Sequence, residues 1–152
     1  MIDSSVSILM SVYNDEKFVS KSIQSVLNQS YKKFEFIIIN DNSSDMSFKI
    51  IQKYTSKDKR IKLYNNPKNM GLTKSLNIGL NYCSGLLIAR IDSDDMWDKN
   101  KLELQLIEFK KNKDLVLCAT DYNLINLNDK IIKSRYNSNL KNFPYSNPFV
   151  HS

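Results

Sequence analysis

Asp92, Asp94 and Asp95 place three carboxylates within four residues, in the stretch RIDSDD that directly follows the apolar run Leu86 to Ile91. In extended chain, residues two apart point the same way, so Asp92 and Asp94 face one ligand while Asp95 turns aside. Two carboxylates held together repel unless a cation joins them. All-oxygen donors suit a hard divalent ion, Mn²⁺ or Mg²⁺, which fills the rest of its shell with water and phosphate oxygens. That chemistry implies a phosphorylated ligand. The competing reading is capping: Asp94, Asp95 and Asp98 precede a helical pattern, where each negative charge contributes about 0.3–1 kcal/mol. Capping accounts for Asp98 and one neighbour but leaves Asp92 without a role. Spacing alone does not decide between the two.

A second polar strand end lies at residues 40–45, NDNSSD. Asp41, at the strand tip, is placed to accept a hydrogen bond from a base or ribose, or else serves only as a turn residue. Asn42, Ser44 and Asp45 read as turn and cap residues.

The elements that must position these groups follow from periodicity. Val6 to Val12 reads as a strand ending in Tyr13-Asn14-Asp15. Phe18, Val19, Ile23, Val26 and Leu27 then recur at helical spacing. Phe34 to Ile39 is a second strand, rich in β-branched residues. Phe48, Ile50, Ile51 and Tyr54 mark the next helix, and Ile61 to Tyr64 a third strand. NNPKNMG is a loop by composition. Leu72, Leu76, Ile78 and Leu80 favour a helix stopped at Ser84-Gly85. Leu86 to Ile91 is the fourth strand, expected to be buried, and Lys99 to Lys111 the helix after it. Leu115 to Ala119 is expected as a fifth strand. Tyr122 to Asn126 and Lys130 to Lys133 read as a hairpin, and Ser134 to Ser152 as loop. Alternating strands and helices imply a mostly parallel sheet whose ligand lies beyond the carboxyl ends of the strands. The predicted site is where the loops after the first, second and fourth strands meet. Trp97 either roofs that site or packs into the core.

Composition narrows the function classes. The 152 residues, 41% hydrophobic and 25% charged, suffice for one globular domain. No apolar run approaches the roughly 18–20 residues of a membrane span. The first residues lack the basic start of a signal peptide, so cytoplasmic residence is expected. The net charge of +6 is spread over scattered lysines and reads as a solvated surface rather than a nucleic-acid footprint. Cys83 and Cys118 have no metal-type spacing and are expected as buried free thiols. His151, the one histidine, argues against a Ser-His-Asp or Cys-His constellation. Three glycines, Gly71, Gly79 and Gly85, leave no glycine-rich phosphate loop.

The stretch SILMSVYNDEKFVSKSIQSVLNQSYKKFEFIIINDNSSD resembles the opening of family 2 glycosyltransferases. NMGLTKSLNIGL and GLLIARIDSDDMW resemble that family's later motifs, including its Asp-x-Asp, and the four motifs stand in the family's order across essentially the whole chain. The resemblance implies a GT-A fold: a Rossmann-like three-layer α/β/α sandwich with a mostly parallel central sheet, here one domain over residues 1–152 that is expected to be truncated at its C-terminus. It implies an inverting transfer of sugar from a nucleotide sugar, usually a UDP-sugar, to an acceptor hydroxyl. Val12, Tyr13 and Asn14 match the loop around the base, with Glu16 close by. Asp41 matches the acidic residue that bonds the base, and Lys74 a diphosphate neighbour. Asp92 and Asp94 match the metal-contacting pair, Asp92 also reaching the ribose. Ser93 and Asp95 match donor-side neighbours. Asn40 departs from the family's frequent Asp. The family's carboxylate base lies in a later motif, expected beyond residue 152; Asp121 and Asp129 do not match it. The implied setting is bacterial surface polysaccharide assembly at the inner face of the membrane, with a saccharide or lipid-linked saccharide acceptor. A nucleotidyltransferase acting on sugar phosphates is the alternative enzyme, although SVYNDEK is not its usual glycine-rich basic loop. A non-catalytic nucleotide-binding module is the third reading.

Overall fold

The computed structural model describes residues 5–135, so the tail beyond Arg135, His151 included, lies outside the described residues. The chain forms two compact units, Met1–Ile107 and Glu108–Ser152. In the first, strands β1 (Val6–Val12), β2 (Phe34–Asn40), β3 (Ile61–Asn65) and β4 (Leu87–Arg90) alternate with helices α1 (Val19–Leu27), α2 (Ser47–Thr55) and α3 (Leu72–Leu80). Helix α4 (Lys101–Lys111) runs across the boundary between units. The strands pair in the order β3-β2-β1-β4, all parallel.

β1 lies inside the sheet with both faces covered, so all seven of its residues are buried. Alternate side chains serve two different cores. Val6, Ile8, Met10 and Val12, with Phe34, Phe36 and Ile38, pack under Val19, Ile23 and Val26 of α1, Ile51 of α2, and Leu102 and Leu106 of α4. On the other face Leu9, Ile37 and Ile39 meet Leu76 of α3. Each fully buried aliphatic side chain contributes about 1.5–3 kcal/mol. Helices on both faces of a parallel sheet make the expected three-layer α/β/α arrangement. Trp97 is 9% exposed and belongs to the first core, so it does not roof the site.

Three sequence expectations need correction. β4 is not a buried strand: among the described residues it is a sheet edge, and Leu86 and Ile88 are 81% and 52% exposed. Leu115–Ala119 forms no strand, because its apolar run pairs with no described strand and Val116 is 93% exposed. Cys83 and Cys118 are both only partly buried thiols. In the second unit the expected hairpin forms, β5 (Tyr122–Ile125) antiparallel to β6 (Ile131–Arg135).

The amino ends of the strands are tied by Glu35. Its Oε1 accepts from Ser7 Oγ at 2.6 Å, Ser84 N at 2.6 Å and Ser84 Oγ at 2.8 Å, and its Oε2 from Lys62 Nζ at 2.8 Å. Burial pushes this carboxyl up, but the Lys62, Ser7 and Ser84 donors outweigh it and hold the group at about 2, below the ordinary 4.5. A depressed carboxyl stabilises the fold fully above its unfolded value and loses that contribution as pH falls from 4.5 toward about 2. Glu35→Gln is therefore expected to lower the unfolding free energy at neutral pH by about 1–2 kcal/mol, after allowing for solvent screening. Denaturant titrations at stepped pH should show the gap between the two proteins closing on acidification; a constant gap would remove the charge from the explanation.

Candidate functional site

The strand order reverses between β1 and β4: the chain steps outward from β1 to β2 to β3, then returns to β4 on the other side of β1. Their loops diverge there and leave a crevice at the carboxyl ends. A cleft of about 290 Å³ occupies this position, lined by Ser11, Tyr13 and Asp15 after β1, Asp41 after β2, Asn69, Gly71 and Leu72 before α3, and Asp92, Ser93 and Asp94 after β4. Three of the five acidic residues named from sequence, Asp41, Asp92 and Asp94, thus share one concavity with Tyr13 and Ser93. Tyr13 offers its ring with 49% of its surface exposed.

The other expected residues are placed differently. The Val12 side chain is fully buried in the core, so only its backbone is available, and its carbonyl accepts from Asp41 N at 2.8 Å. Lys74 is an exposed residue of α3 and does not line the cleft. Asp95 donates its amide to Asp92 O at 3.2 Å and stands beside the cleft rather than on its wall.

Asn14 and Glu16 line a separate, larger depression of about 460 Å³ with Lys17, Phe18, Ser44 and Asp45. Both residues knit the β1 loop to the β2 loop. Asn14 sits at φ 55°, a left-handed conformation that asparagine tolerates, and its Oδ1 accepts from Ser44 N at 2.8 Å. Glu16 N donates to Asp45 Oδ2 at 3.0 Å, while Glu16 Oε2 accepts from Met46 N at 2.9 Å. Asp15 N completes the lock on Ser47 Oγ at 2.9 Å. These bonds fix the two loops relative to each other before any ligand arrives.

Asp41 is 1% exposed and its carboxylate organises the NNPKNMG loop. Oδ1 accepts from Asn66 Nδ2 at 2.7 Å and Met70 N at 2.8 Å, and Oδ2 from Gly71 N at 2.8 Å. Burial alone would raise its carboxyl; the Asn66, Met70, Ser75 and Gly71 donors reverse that and lower it. Gly71, at φ 82°, starts α3, and the Asp41 charge therefore sits at that helix's N-terminus.

Asp15 escaped the sequence reading. It accepts a short hydrogen bond from Ser93 Oγ, joining the β1 loop directly to the acidic loop after β4. Its carboxyl is raised, first by burial and then by the neighbouring charges of Asp94, Asp45 and Asp92, with the Ser93 bond opposing. The signal available was position alone: Asp15 follows Tyr13-Asn14 in the polar run that ends β1, and it lines the cleft with Ser11 and Tyr13.

A divalent ion fits this donor set. The Arg90 guanidinium donates to Asp92 Oδ1 and anchors the carboxylate, and Asp94 is exposed on the cleft wall. Among the described residues no group of three or more His, Cys, Asp or Glu side chains gathers into a cage. Oxygen donors from one or two carboxylates suit an ion that takes the remainder of its shell from phosphate and water, not a structural ion.

Comparison with known proteins agrees with this geometry. The model of the family described as Glycosyl transferase family 2 matches residues 7–150. An uncharacterized glycosyltransferase of Haemophilus influenzae is 42% identical over 84% of this chain and 51% of its own length. The Escherichia coli UDP-Glc:alpha-D-GlcNAc-diphosphoundecaprenol beta-1,3-glucosyltransferase is 38% identical over 99% of this chain and 67% of its own length. Among solved structures, S. aureus TarS 1-349 in complex with UDP superposes with a TM-score of 0.66 at 27% identity, covering 70% of this chain and 32% of that one. The chain thus spans about half the length of the Haemophilus relative and a third of TarS 1-349. The fold is that of the GT-A glycosyltransferases. A family match across nearly all of the sequence, on a sheet whose switch point gathers Tyr13, Asp92, Ser93 and Asp94, makes this chain a member of glycosyltransferase family 2.

Proposed function

We propose that this chain forms the donor-binding part of an inverting glycosyltransferase that uses a UDP-sugar. One observation carries the reading: the loops after β1 and β4 bring an exposed tyrosine ring and the Asp92-Ser93-Asp94 cluster into a single cleft at the sheet's switch point. TarS 1-349, solved in complex with UDP, and the E. coli relative, named for UDP-Glc, support the choice of nucleotide. In this scheme Tyr13 packs against the base. Asp41 holds the wall of the cleft on the side where a base or ribose would lie. Asp92 and Asp94 would hold Mn²⁺ or Mg²⁺, which when bound supplies Lewis-acid charge to the leaving diphosphate.

Transfer itself forms a bond from an acceptor oxygen to the anomeric carbon as the bond to the diphosphate breaks, and the acceptor's proton passes to a base. We assign no base among these residues, and transfer is proposed for a protein of the relatives' length. The acceptor is a saccharide, carried on a lipid in the manner of the E. coli relative's named substrate. The setting we favour is the cytoplasmic face of a membrane in surface polysaccharide assembly. Among the described residues no helix is long and apolar enough to cross a membrane, and the net charge of +6 suits peripheral contact with an anionic surface.

Calorimetric titration of UDP with and without Mn²⁺ tests the reading. The unsubstituted chain should bind UDP more tightly with the ion present. Asp94→Asn should lose about tenfold or more of that affinity, since a neutral amide is a poor ligand for a hard ion. Equal binding by both proteins would remove Asp94 from the ion site. Release of pyrophosphate from a nucleoside triphosphate and a sugar phosphate would instead favour nucleotidyl transfer.

A further inference from the structure

Helix α1 and the turn after it make six hydrogen bonds to one short segment, residues 93–103. Ser22 Oγ donates to Ser93 O at 2.6 Å, and Ser25 Oγ accepts from Trp97 N at 3.1 Å. Gln29 Nε2 donates to Asp98 O at 2.6 Å, while Gln29 Oε1 accepts from Leu102 N at 3.0 Å. Ser30 N donates to Lys99 O at 2.8 Å, and Ser30 Oγ to Glu103 Oε2 at 2.7 Å. Ser22 and Ser25, three apart, lie on one face of α1, and Gln29 follows just past the helix end. Ser22 and Gln29 are both 0% exposed, Ser22 on the side of α1 that also buries Val19, Ile23 and Val26.

Burying polar side chains is costly unless each is paired, and the buried Ser22 and Gln29 are both paired, with the half-buried Ser25 between them. An aliphatic stripe would fill the same space without that demand. What the polar stripe adds is direction: a fully satisfied buried network holds its partners in one geometry. Its partners are the carbonyl of Ser93, the amide of Trp97 and the entry to α4, which together bound the loop carrying Asp94 and Asp95. Ser93, gripped from below through its carbonyl by Ser22, is gripped from the cleft side through its hydroxyl by Asp15.

We infer that Ser22, Ser25 and Gln29 are positioning residues for the donor site, fixing the acidic loop after β4 from beneath so that Asp92 and Asp94 meet the ligand without rearrangement. The inference rests on the proposed function, since it gives that loop the role of holding the nucleotide diphosphate. Prepaid ordering of this kind appears as affinity, because binding no longer immobilises the loop.

The test uses the full chain and the variants Ser22→Ala, Ser22→Thr, Gln29→Met and Ser20→Ala. Ser20 lies on the same helix, but its hydroxyl bonds Tyr54 Oη at 2.8 Å, away from the acidic loop. Two readouts are taken on each protein well below its melting temperature: amide hydrogen exchange over residues 92–102, and UDP affinity with Mn²⁺ present. Ser22→Ala and Gln29→Met should speed exchange in that segment while sparing β1 and β2, and should weaken UDP binding about tenfold. Ser22→Thr, which keeps the hydroxyl, should recover most of the affinity, and Ser20→Ala should change stability alone. Should Gln29→Met fail to fold, the Ser22 pair decides. Unchanged exchange at 92–102 overturns the inference. So does faster exchange with UDP affinity within twofold of the unsubstituted chain, which would make the stripe merely structural. No UDP binding by the unsubstituted chain overturns the functional reading and the positioning role with it, a result distinct from equal binding by all proteins.

Discussion

Asp41→Asn is expected to lower the melting temperature by about 10 °C and to weaken UDP binding in the protein that remains folded. The carboxylate accepts three hydrogen bonds, from Asn66 Nδ2, Met70 N and Gly71 N. An amide has one acceptor oxygen. With that oxygen at the Oδ1 position, serving Asn66 and Met70, its NH₂ points at the Gly71 N–H, donor against donor. One charge-assisted bond is lost, a buried donor is left unsatisfied, and the negative charge at the start of α3 disappears. Together these come to about 3 kcal/mol, or roughly 10 °C for a chain of this size. Asn66→Ala removes one donor and leaves the charge, so its cost should be about 1 kcal/mol. The pH dependence separates this from a packing effect. The hydrogen-bonded carboxyl lies below the ordinary 3.8. Its stabilisation is present above that value and is lost as the folded group protonates, so the two proteins should converge in acid. Affinity falls because the loop that Asp41 ties down brings Asn69, Gly71 and Leu72 to the cleft. A variant melting within 2–3 °C of the original would mean that the loop has other anchors.

This result bears on what the sequence made legible. The strands and helices of the first unit were readable because burial shapes the sequence: β1 and β2 are mostly apolar where both faces are covered, and α1 repeats its core residues at helical spacing. The meeting of three strand ends was readable too, because it follows from topology and not from any one side chain. Roles within the site were less so. Asp41 reads as a ligand contact, whereas its carboxylate is largely committed to its own chain; sequence shows a carboxylate at a strand tip but not which amides surround it. Asn14 and Glu16 lie in the loop expected to meet the nucleotide, yet their hydrogen bonds join two loops. Leu115–Ala119 has the composition of a strand, but composition cannot supply a neighbour to pair with. Gln29 carried no signal of its role, since a glutamine after an amphipathic helix is ordinarily solvated.

Gly85 illustrates the same limit and leads to the second large effect. In sequence, Ser84-Gly85 reads as a helix stop; in the fold, the helix has ended by Leu80 and Gly85 lies against β1. A Cβ at this position would stand 2.5 Å from Ser7 N, 2.8 Å from Val6 C and 2.9 Å from Ser7 Oγ. Two of those atoms are backbone of a central strand and cannot step aside. Relief must come from β4, which is held to β1 through only the pairs Val6↔Leu87 to Leu9↔Arg90. Gly85→Ala should therefore cost about 2–4 kcal/mol. Gly71→Ala is the natural comparison. Gly71 adopts φ +82°, and a Cβ added there would meet nothing within 4 Å, so its replacement carries backbone strain alone, about 1 kcal/mol. Denaturant unfolding should rank Gly85→Ala well below Gly71→Ala, and a reversed order would show that conformation outweighs close approach here. Because β4 delivers Asp92 to the cleft, its outward shift must also move the acidic cluster relative to Tyr13 and Asp15. Gly85→Ala should thus lose UDP affinity even at temperatures where it is fully folded, joining a glycine at the amino end of the strand to the chemistry at its carboxyl end.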